Sequence, residues 1–399
     1  MSARDDRRAQ AKPSTGGLNR VPITADVLII GGGGAGVSAA LHLAKRGTRV
    51  VLLERGLIGG QASGVNHGGV RQQGRHPAEI PLAIRSRRLW SNIQELCGSD
   101  VEFDPCGHLK LARNAEQEAD LLRWNEMAKG YGLETTMLGR NAIRAQHPYF
   151  GESVIAGSLL AEDGSANPRL LAPALARMAR AAGATLLEHH KVESIEPGFR
   201  VLANGQEFTA PILLNTAGFW GGEVAARFGE PVPVESLNPN MLVTEPLPYF
   251  CSVNVGVVGG DVYLRQIPRG NVILGGGRGE SDPALPRSRP LPDPGFLAMR
   301  KAIEIIPRLE GALIIRSWTG IDGGMPDALP VMGWSHTTPG LLHAFGFSGH
   351  GFMLGPAVGE ILSELVLDGR TDVPLEAFDI ARFNRQDGVE PDVWKTRLE

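Results

Sequence analysis

The run VLIIGGGGAG at residues 27–36 constrains this chain more than any other stretch. Val27 to Ile30 are apolar in succession, the pattern of a strand buried on both faces of a parallel sheet. The glycines Gly31, Gly33 and Gly36 then serve separate ends. The first permits a tight turn, the second lets a pyrophosphate approach the backbone, and the third lets a helix lie close against the strand before it. A helix over residues 37–47 is predicted, with Ala39, Ala40, Leu43 and Ala44 inward and Gly47 as its stop. A second apolar strand over 49–53 ends at Glu54, where a carboxylate can accept from both hydroxyls of an adenosine ribose. Strand, glycine turn, helix, strand and acid come in the order a dinucleotide site requires.

The chain has 399 residues, more than the roughly 250–300 at which a single core stops growing, so two domains are expected. Forty Lys and Arg against forty-three Asp and Glu give a formal charge of −3, with no basic stripe for nucleic acid. Cys97, Cys106 and Cys251 form no CxxC pair, which points to plain thiols in a reducing compartment and a cytoplasmic location rather than to disulfides or a metal cluster. Residues 1–20 are polar and basic, lack the apolar core of a signal peptide and are expected to be a disordered tail. No run reaches about 18 uninterrupted apolar residues, so no membrane span is expected.

After the first βαβ unit, residues 56–74 read GLIGGQASGVNHGGVRQQG, too rich in glycine for a good helix and placed beside whatever the glycine turn binds. A flat ring system fits such a loop, with His67 and Arg71 facing the ring or a substrate. Residues 78–97 show helical periodicity disturbed early by Pro81, and Trp90 reads as core or interface packing. From about residue 101 the texture changes: strand segments broken at Pro105 and Gly107, a helix ending near Gly130, and a short helix over 140–145 suggest an inserted domain. The chain returns through a small-residue helix after the turn at 163–168 and a hairpin turning at Asn204 and Gly205. Val192 is thereby placed near an adenine, and residues 215–218 near a diphosphate. His189 and His190 are adjacent and point opposite ways if extended, which disfavours a paired metal site. Residues 234–315 mix strand and helix signals and supply the second part of the insertion; there Tyr263 and Arg265 share a face of one strand. Near the end, Gly346, Gly349 and Gly351 surround His350, and a helix is predicted from Pro356. A helix N-terminus fed by such a loop donates backbone hydrogen bonds to an anionic ring atom. Two glycine loops in one chain favour a large cofactor held by discontinuous segments.

This constellation resembles the FAD-dependent superfamily of D-amino-acid oxidase, glycine oxidase and the sarcosine oxidases, over roughly residues 25–375. Within it the chain is most similar to the flavin subunits of bacterial opine, D-hydroxyproline and related secondary-amine dehydrogenases. The motifs are Gly31, Gly33, Gly36 and Glu54, the His67-Gly68-x-x-Arg71 loop, residues 215–218, Arg316-x-Trp318-x-Gly320, and residues 346–352. The resemblance implies an α/β fold: a discontinuous Rossmann-type FAD-binding domain (21–100, 160–233 and 316–390) with an inserted α+β substrate domain (101–159 and 234–315). It implies non-covalent FAD, since some relatives attach flavin through a late cysteine and none follows Cys251 here. The ADP half is assigned to Gly31, Gly33, Gly34, Ala35, Gly36, Glu54, Arg55, Val192, Ala217, Gly218 and Trp220. The ring is assigned to Gly60, Gln61, Ala62, Ser63, His67, Gly68 and Gly69 on one side, and Gly320, Gly346, Gly349, His350, Gly351 and Phe352 on the other.

The chemistry the resemblance implies is hydride removal from a carbon bearing an amine, giving an imine and reduced FAD. His67 would poise the amine proton and Arg71 would stabilise flavin or a carboxylate, as the catalytic pair. The arginine that follows the late Gly-x-Arg-Pro motif in glycine and D-amino-acid oxidases is missing from Gly320-Ile321-Asp322-Gly323, so for a substrate with a carboxylate the candidates are Arg71, Arg265 and Arg278 instead; Tyr263 and His350 complete the substrate candidates. The expected partners are a small amine or amino acid and an electron-transfer subunit or carrier, in an oligomer. The alternatives are a self-contained oxidase releasing hydrogen peroxide, a 2-hydroxyacid dehydrogenase of similar fold, and a structural flavin subunit whose partner holds the productive site. No GxSxG or GxxxxGK[ST] run supports a hydrolase or ATPase.

Overall fold

The computed structural model describes residues 21–384. The expected tail, 1–20, and the last residues of the expected third FAD-binding segment lie outside them. The architecture is α/β, with a Rossmann-type unit and an inserted second sheet. The first sheet runs Val331–Trp334, Leu341–Phe345, Ile212–Asn215, Val27–Ile30, Val50–Leu53 and Thr185–Leu187 in spatial order. All neighbours are parallel except the first pair. Ile30 stands opposite both Leu53 and Asn215, so three strands end level and bring the glycine turn, Glu54 and residues 216–218 to one edge. That edge is where open α/β sheets bind ligands.

The first helix is Gly34–Lys45 and opens earlier than the predicted 37, because Gly31 at φ +108° completes the turn within the glycine run. A Cβ on Gly31 would lie 2.4 Å from the Thr216 carbonyl oxygen, and one on Gly36 would lie 2.1 Å from that of Gly31. The last long helix, Gly351–Leu367, lies across it; Gly355 and Gly359 give the close approach, a Cβ on Gly359 falling 2.3 Å from Ser38 Cβ. The prediction of a start at Pro356 is corrected. Ser348 and Gly349, at φ +52° and +89°, already turn the chain into the helix at Gly351, and Pro356 sits inside with its carbonyl accepting from Ser38 Oγ at 2.9 Å.

The glycine-rich 56–74 stretch contains a short helix, Ala62–Val65, against expectation. Asn66 explains it: its Nδ2 donates to the carbonyls of Ala62 and Ser63 and so closes the turn. Trp90 is fully buried; its Nε1 donates to Met353 O at 2.8 Å, which ties Ile80–Ser91 to the last helix.

The second sheet orders Ile314–Trp318, Pro239–Pro246, Asn271–Arg278, Tyr263–Gln266, Asn254–Val257, His108–Ala112, Ala156–Leu160 and Thr136–Gly139. Strands from residues 108–160 and 239–318 contribute, joined by the parallel pairing of Asn254–Val257 with His108–Ala112. One face is apolar: Leu109, Leu111, Val255, Leu264 and Leu274 form a core with Ala298 and Ala302 of the helix Pro292–Ile305. Along the opposite face Lys110, Gly256, Tyr263, Gly275 and Met241 fall in one cross-strand row. The glycines make room for their neighbours. A Cβ on Gly275 would strike the Tyr263 ring at 2.4 Å, and one on Gly256 would stand 3.2 Å from Lys110 Cδ.

Candidate FAD and substrate site

Two cavities meet at the start of the first helix. One, of 360 Å³, is lined by Gly31, Glu54, Arg55, Val192, Ala217 and Trp220 among others. The second, of 310 Å³, lies between the 62–71 loop, the 347–352 loop and the polar face of the second sheet. Gly33, Ala62, Ser63, Thr216 and Gly218 line both, so the cavities adjoin at the helix start.

Its chemistry fits FAD. Gly33 precedes a helix whose first turn carries no acid and whose N-cap offers no side chain, which leaves the positive helix end for a diphosphate. Ser63 Oγ accepts from Gly34 N at 2.9 Å and holds the 62–65 turn against that end. Glu54 is pre-set by two amides: Gly32 N donates to Oε2 and Gly56 N to Oε1, each at 2.7 Å. The Arg55 guanidinium lies 4.4 Å from the Trp220 ring centre at the same end. Gly60 and Gln61, expected beside the ring, line this half instead. Gly36 and Gly346 line neither cavity; each serves close packing, Gly346 at φ +73° against Met325. Asn215 is buried below the edge, its Nδ2 donating to Gly221 O at 2.8 Å.

At the other end Gly34, Ala35, His67, Gly68, Gly69, Arg71, Tyr263, Gly320, Gly349, His350, Gly351 and Phe352 all line the 310 Å³ cavity. His67 is half-buried in the wall, its ring edge-on to Tyr263 at 5.2 Å. Burial, then the charges of Arg265 and Arg71, push its pKa well below 6.5, so the imidazole is neutral. Its Nε2 has no hydrogen-bond partner among the described residues. His350 Nδ1 lies 2.8 Å from Glu79 Oε2, and Glu79 is 3.7 Å from Arg75 Nη1, a buried charged cluster beneath the late loop. Arg71 Nη1 donates to Gln73 O at 2.6 Å.

Two of the predicted substrate arginines lie elsewhere. Arg265 lines neither cavity: its Nε donates to His67 O at 2.8 Å and its Nη2 to Ala166 O at 3.0 Å, so it braces the loop from behind. Arg278 is exposed at the end of its strand and also lines neither. The sequence reading missed Lys110, His108 and Asn254, which line the cavity from the second sheet. His108 is fully buried with its pKa pushed well down by burial and by Arg71 and Lys110, and its Nδ1 lies 2.7 Å from Gln73 Oε1. The signal was the alternation in HLKLA, two polar side chains facing away from two leucines.

A family model described as DAO, FAD dependent oxidoreductase, matches residues 26–365. Glycine oxidase of Geobacillus kaustophilus is 29% identical over 92% of this chain and 99% of its own length. Mitochondrial sarcosine dehydrogenase of Homo sapiens is 28% identical over 91% of this chain, which spans 42% of that longer protein. Among solved structures, L-proline dehydrogenase from P. horikoshii superimposes with a TM-score of 0.83 at 31% identity, covering 92% of this chain and 99% of that one. The three differ in substrate and match to similar degree, so no subclass stands out. With the nucleotide edge, the joined cavities and this match in hand, the chain belongs to the DAO family of FAD-dependent oxidoreductases.

Proposed function

We propose that this enzyme is a dehydrogenase of secondary amines or imino acids, of the sarcosine, D-proline, D-hydroxyproline or opine type, using non-covalent FAD. The single observation that carries the reading is His67: a half-buried side chain on the wall of the ring-end cavity whose imidazole is neutral and whose Nε2 has no hydrogen-bond partner among the described residues. Bound FAD supplies the hydride acceptor. The donor carbon gives up hydride readily only when the adjacent nitrogen carries a lone pair, and a neutral imidazole accepts the amine proton where an imidazolium would not. Tyr263 and Met241 close the cavity from the sheet, and the loop carrying Gly349 to Phe352 closes it from the other side. Water exclusion there strengthens each polar contact with the substrate. None of the three cysteines lines either cavity, which supports non-covalent binding. The names of the relatives support an amine or amino-acid C–N bond as the target.

The test is anaerobic titration of the flavin band at 450 nm with sarcosine, D-proline, cis-4-hydroxy-D-proline, an opine and glycine, followed by oxygen. Bleaching by an N-substituted or cyclic amino acid, with slow reoxidation in air and rapid reoxidation by an artificial acceptor, is expected, and it supports electron delivery to a partner subunit or carrier. Rapid reoxidation with stoichiometric peroxide would make the protein a self-contained oxidase. No bleaching by any of the five would refute the substrate class.

A further inference from the structure

We infer that Asn254 is the acceptor that the substrate's N–H meets, and that it selects an amine still carrying hydrogen on nitrogen, secondary or cyclic, over a tertiary one. This rests on the amine-oxidising reading above and deepens it. Asn254 opens the strand Asn254–Val257, and its neighbours Val253 and Val255 both enter the apolar core, so its own side chain faces the other way, onto the wall of the ring-end cavity, which it lines at 1% exposure. The orientation of its amide is set: Nδ2 donates to Gly164 O at 3.1 Å, a carbonyl that Oδ1 would repel. Oδ1 is left buried with no hydrogen-bond partner among the described residues. Such an acceptor is costly to keep unless a ligand meets it.

The polar side chains beside it on the sheet are engaged elsewhere. His108, its direct partner on one neighbouring strand, has its Nδ1 2.7 Å from Gln73 Oε1, and Gln73 Nε2 donates to Ser158, so the His108 proton belongs on Nδ1. Kept neutral by burial, that ring has no second proton to offer from Nε2. Arg265, on the strand at the other side, donates to His67 O, Ser165 Oγ and Ala166 O. His67 and Asn254 flank one glycine: a Cβ on Gly69 would lie 3.4 Å from both His67 Nδ1 and Asn254 Nδ2. A secondary amine suits this pair. Its ammonium proton passes to the imidazole, and its remaining N–H donates to Oδ1. As hydride leaves the neighbouring carbon, the lone pair becomes the second bond of the iminium while the N–H stays and grows more positive, so its bond to Oδ1 strengthens toward the transition state. A tertiary amine gives its one ammonium proton to His67 and brings nothing to Oδ1.

The test uses the FAD-loaded full chain and two probes of one shape, pyrrole-2-carboxylate, which has a ring N–H, and furan-2-carboxylate, which has an oxygen there, each titrated through the change it makes in the flavin absorption band. Wild type is expected to bind the pyrrole about tenfold more tightly, the effect of one buried N–H···O bond. N254L, close to asparagine in size, should erase the preference, weakening the pyrrole by about tenfold and changing the furan by less than about threefold. N254D keeps an oxygen in place but loses the donor to Gly164 O, and it should keep the preference even where both probes bind more weakly. N254A, matched to wild type in flavin content and spectrum, replaces N254L should that variant not retain FAD. Equal affinities in wild type, or equal weakening of both probes by N254L or N254A, would overturn the assignment. So would loss of the preference in N254D, which would trace it to the bond with Gly164 O. Failure of the parent reading looks different: no amine bleaches wild-type flavin, although the pyrrole is still preferred.

Discussion

His67 shows how surroundings can set a chemical role. Its neutral state follows first from desolvation and then from two guanidinium groups, without a carboxylate in contact. Replacing it with alanine is expected to lower the rate of flavin reduction by about 100-fold while FAD content is unchanged, the usual size of a general-base contribution; a loss under threefold would leave it a mere loop anchor. The same burial predicts a pH signature in stability. The folded-state pKa lies below 6.5, so the unfolded chain binds more protons: the folded form is at full strength above about pH 6.5 and loses about 1.4 kcal/mol per pH unit, for this proton, as pH falls below it. Urea unfolding at pH 7, 6 and 5 should therefore show a shallower pH slope in H67Q than in wild type. Glu230 works in the same sense at lower pH. Burial raises its pKa, but hydrogen bonds from His343, Ser335 and the His336 amide outweigh this and bring it down to about 2, so its contribution is whole above about 4.5 and is lost progressively as pH falls from there to about 2.

The crossing of Gly34–Lys45 with Gly351–Leu367 decides whether the glycine turn meets the late loop. In an isolated helix, Gly→Ala would gain about 1 kcal/mol. At Gly359 the added methyl meets Ser38 Cβ at 2.3 Å and Ala39 N at 2.4 Å, and overpacking of that kind costs about 1–3 kcal/mol. Contact outweighs propensity, so G359A is expected to lower the thermal midpoint; a rise would show that the two helices separate freely. Much at this scale was legible in the residues. Gly31, Gly36 and Glu54 have causes within one βαβ unit, and Asn204–Gly205 turns the hairpin between Arg200–Ala203 and Gln206–Thr209 as its chemistry requires. The place of Lys110 on the cavity wall was not legible, because it follows from the pairing of its strand with the one carrying Gly256, far along the chain. Tyr263 and Arg265 illustrate the same limit: alternation puts them on one face, yet only Tyr263 reaches the cavity, since carbonyls of His67 and Ala166 engage the arginine first. Local rules place a residue on an element; non-local packing decides what it touches.

At the scale of the whole molecule the question is whether the two cavities act as one. They share Gly33, Ala62, Ser63, Thr216 and Gly218, so they adjoin at the helix start, where one ligand threading past it would occupy both. Joined fragments then bind far better than either alone, because the second contact is made at high effective concentration. Anything that binds the folded chain also stabilises it, by about 2.7 kcal/mol at a free concentration a hundred times its dissociation constant. With the deflavinated protein, FAD is accordingly expected to raise the thermal midpoint well beyond the combined effect of ADP and riboflavin 5′-phosphate at equal concentration. E54Q separates the halves. It removes one charged acceptor from the ribose end only, so ADP and FAD should both weaken by about tenfold, the lower range for a charge-assisted hydrogen bond, while riboflavin 5′-phosphate binds as before. If FAD stabilised no better than ADP, or if E54Q weakened riboflavin 5′-phosphate equally, the halves would not be one extended site. The substrate would then lack the fixed ring against which His67 is placed.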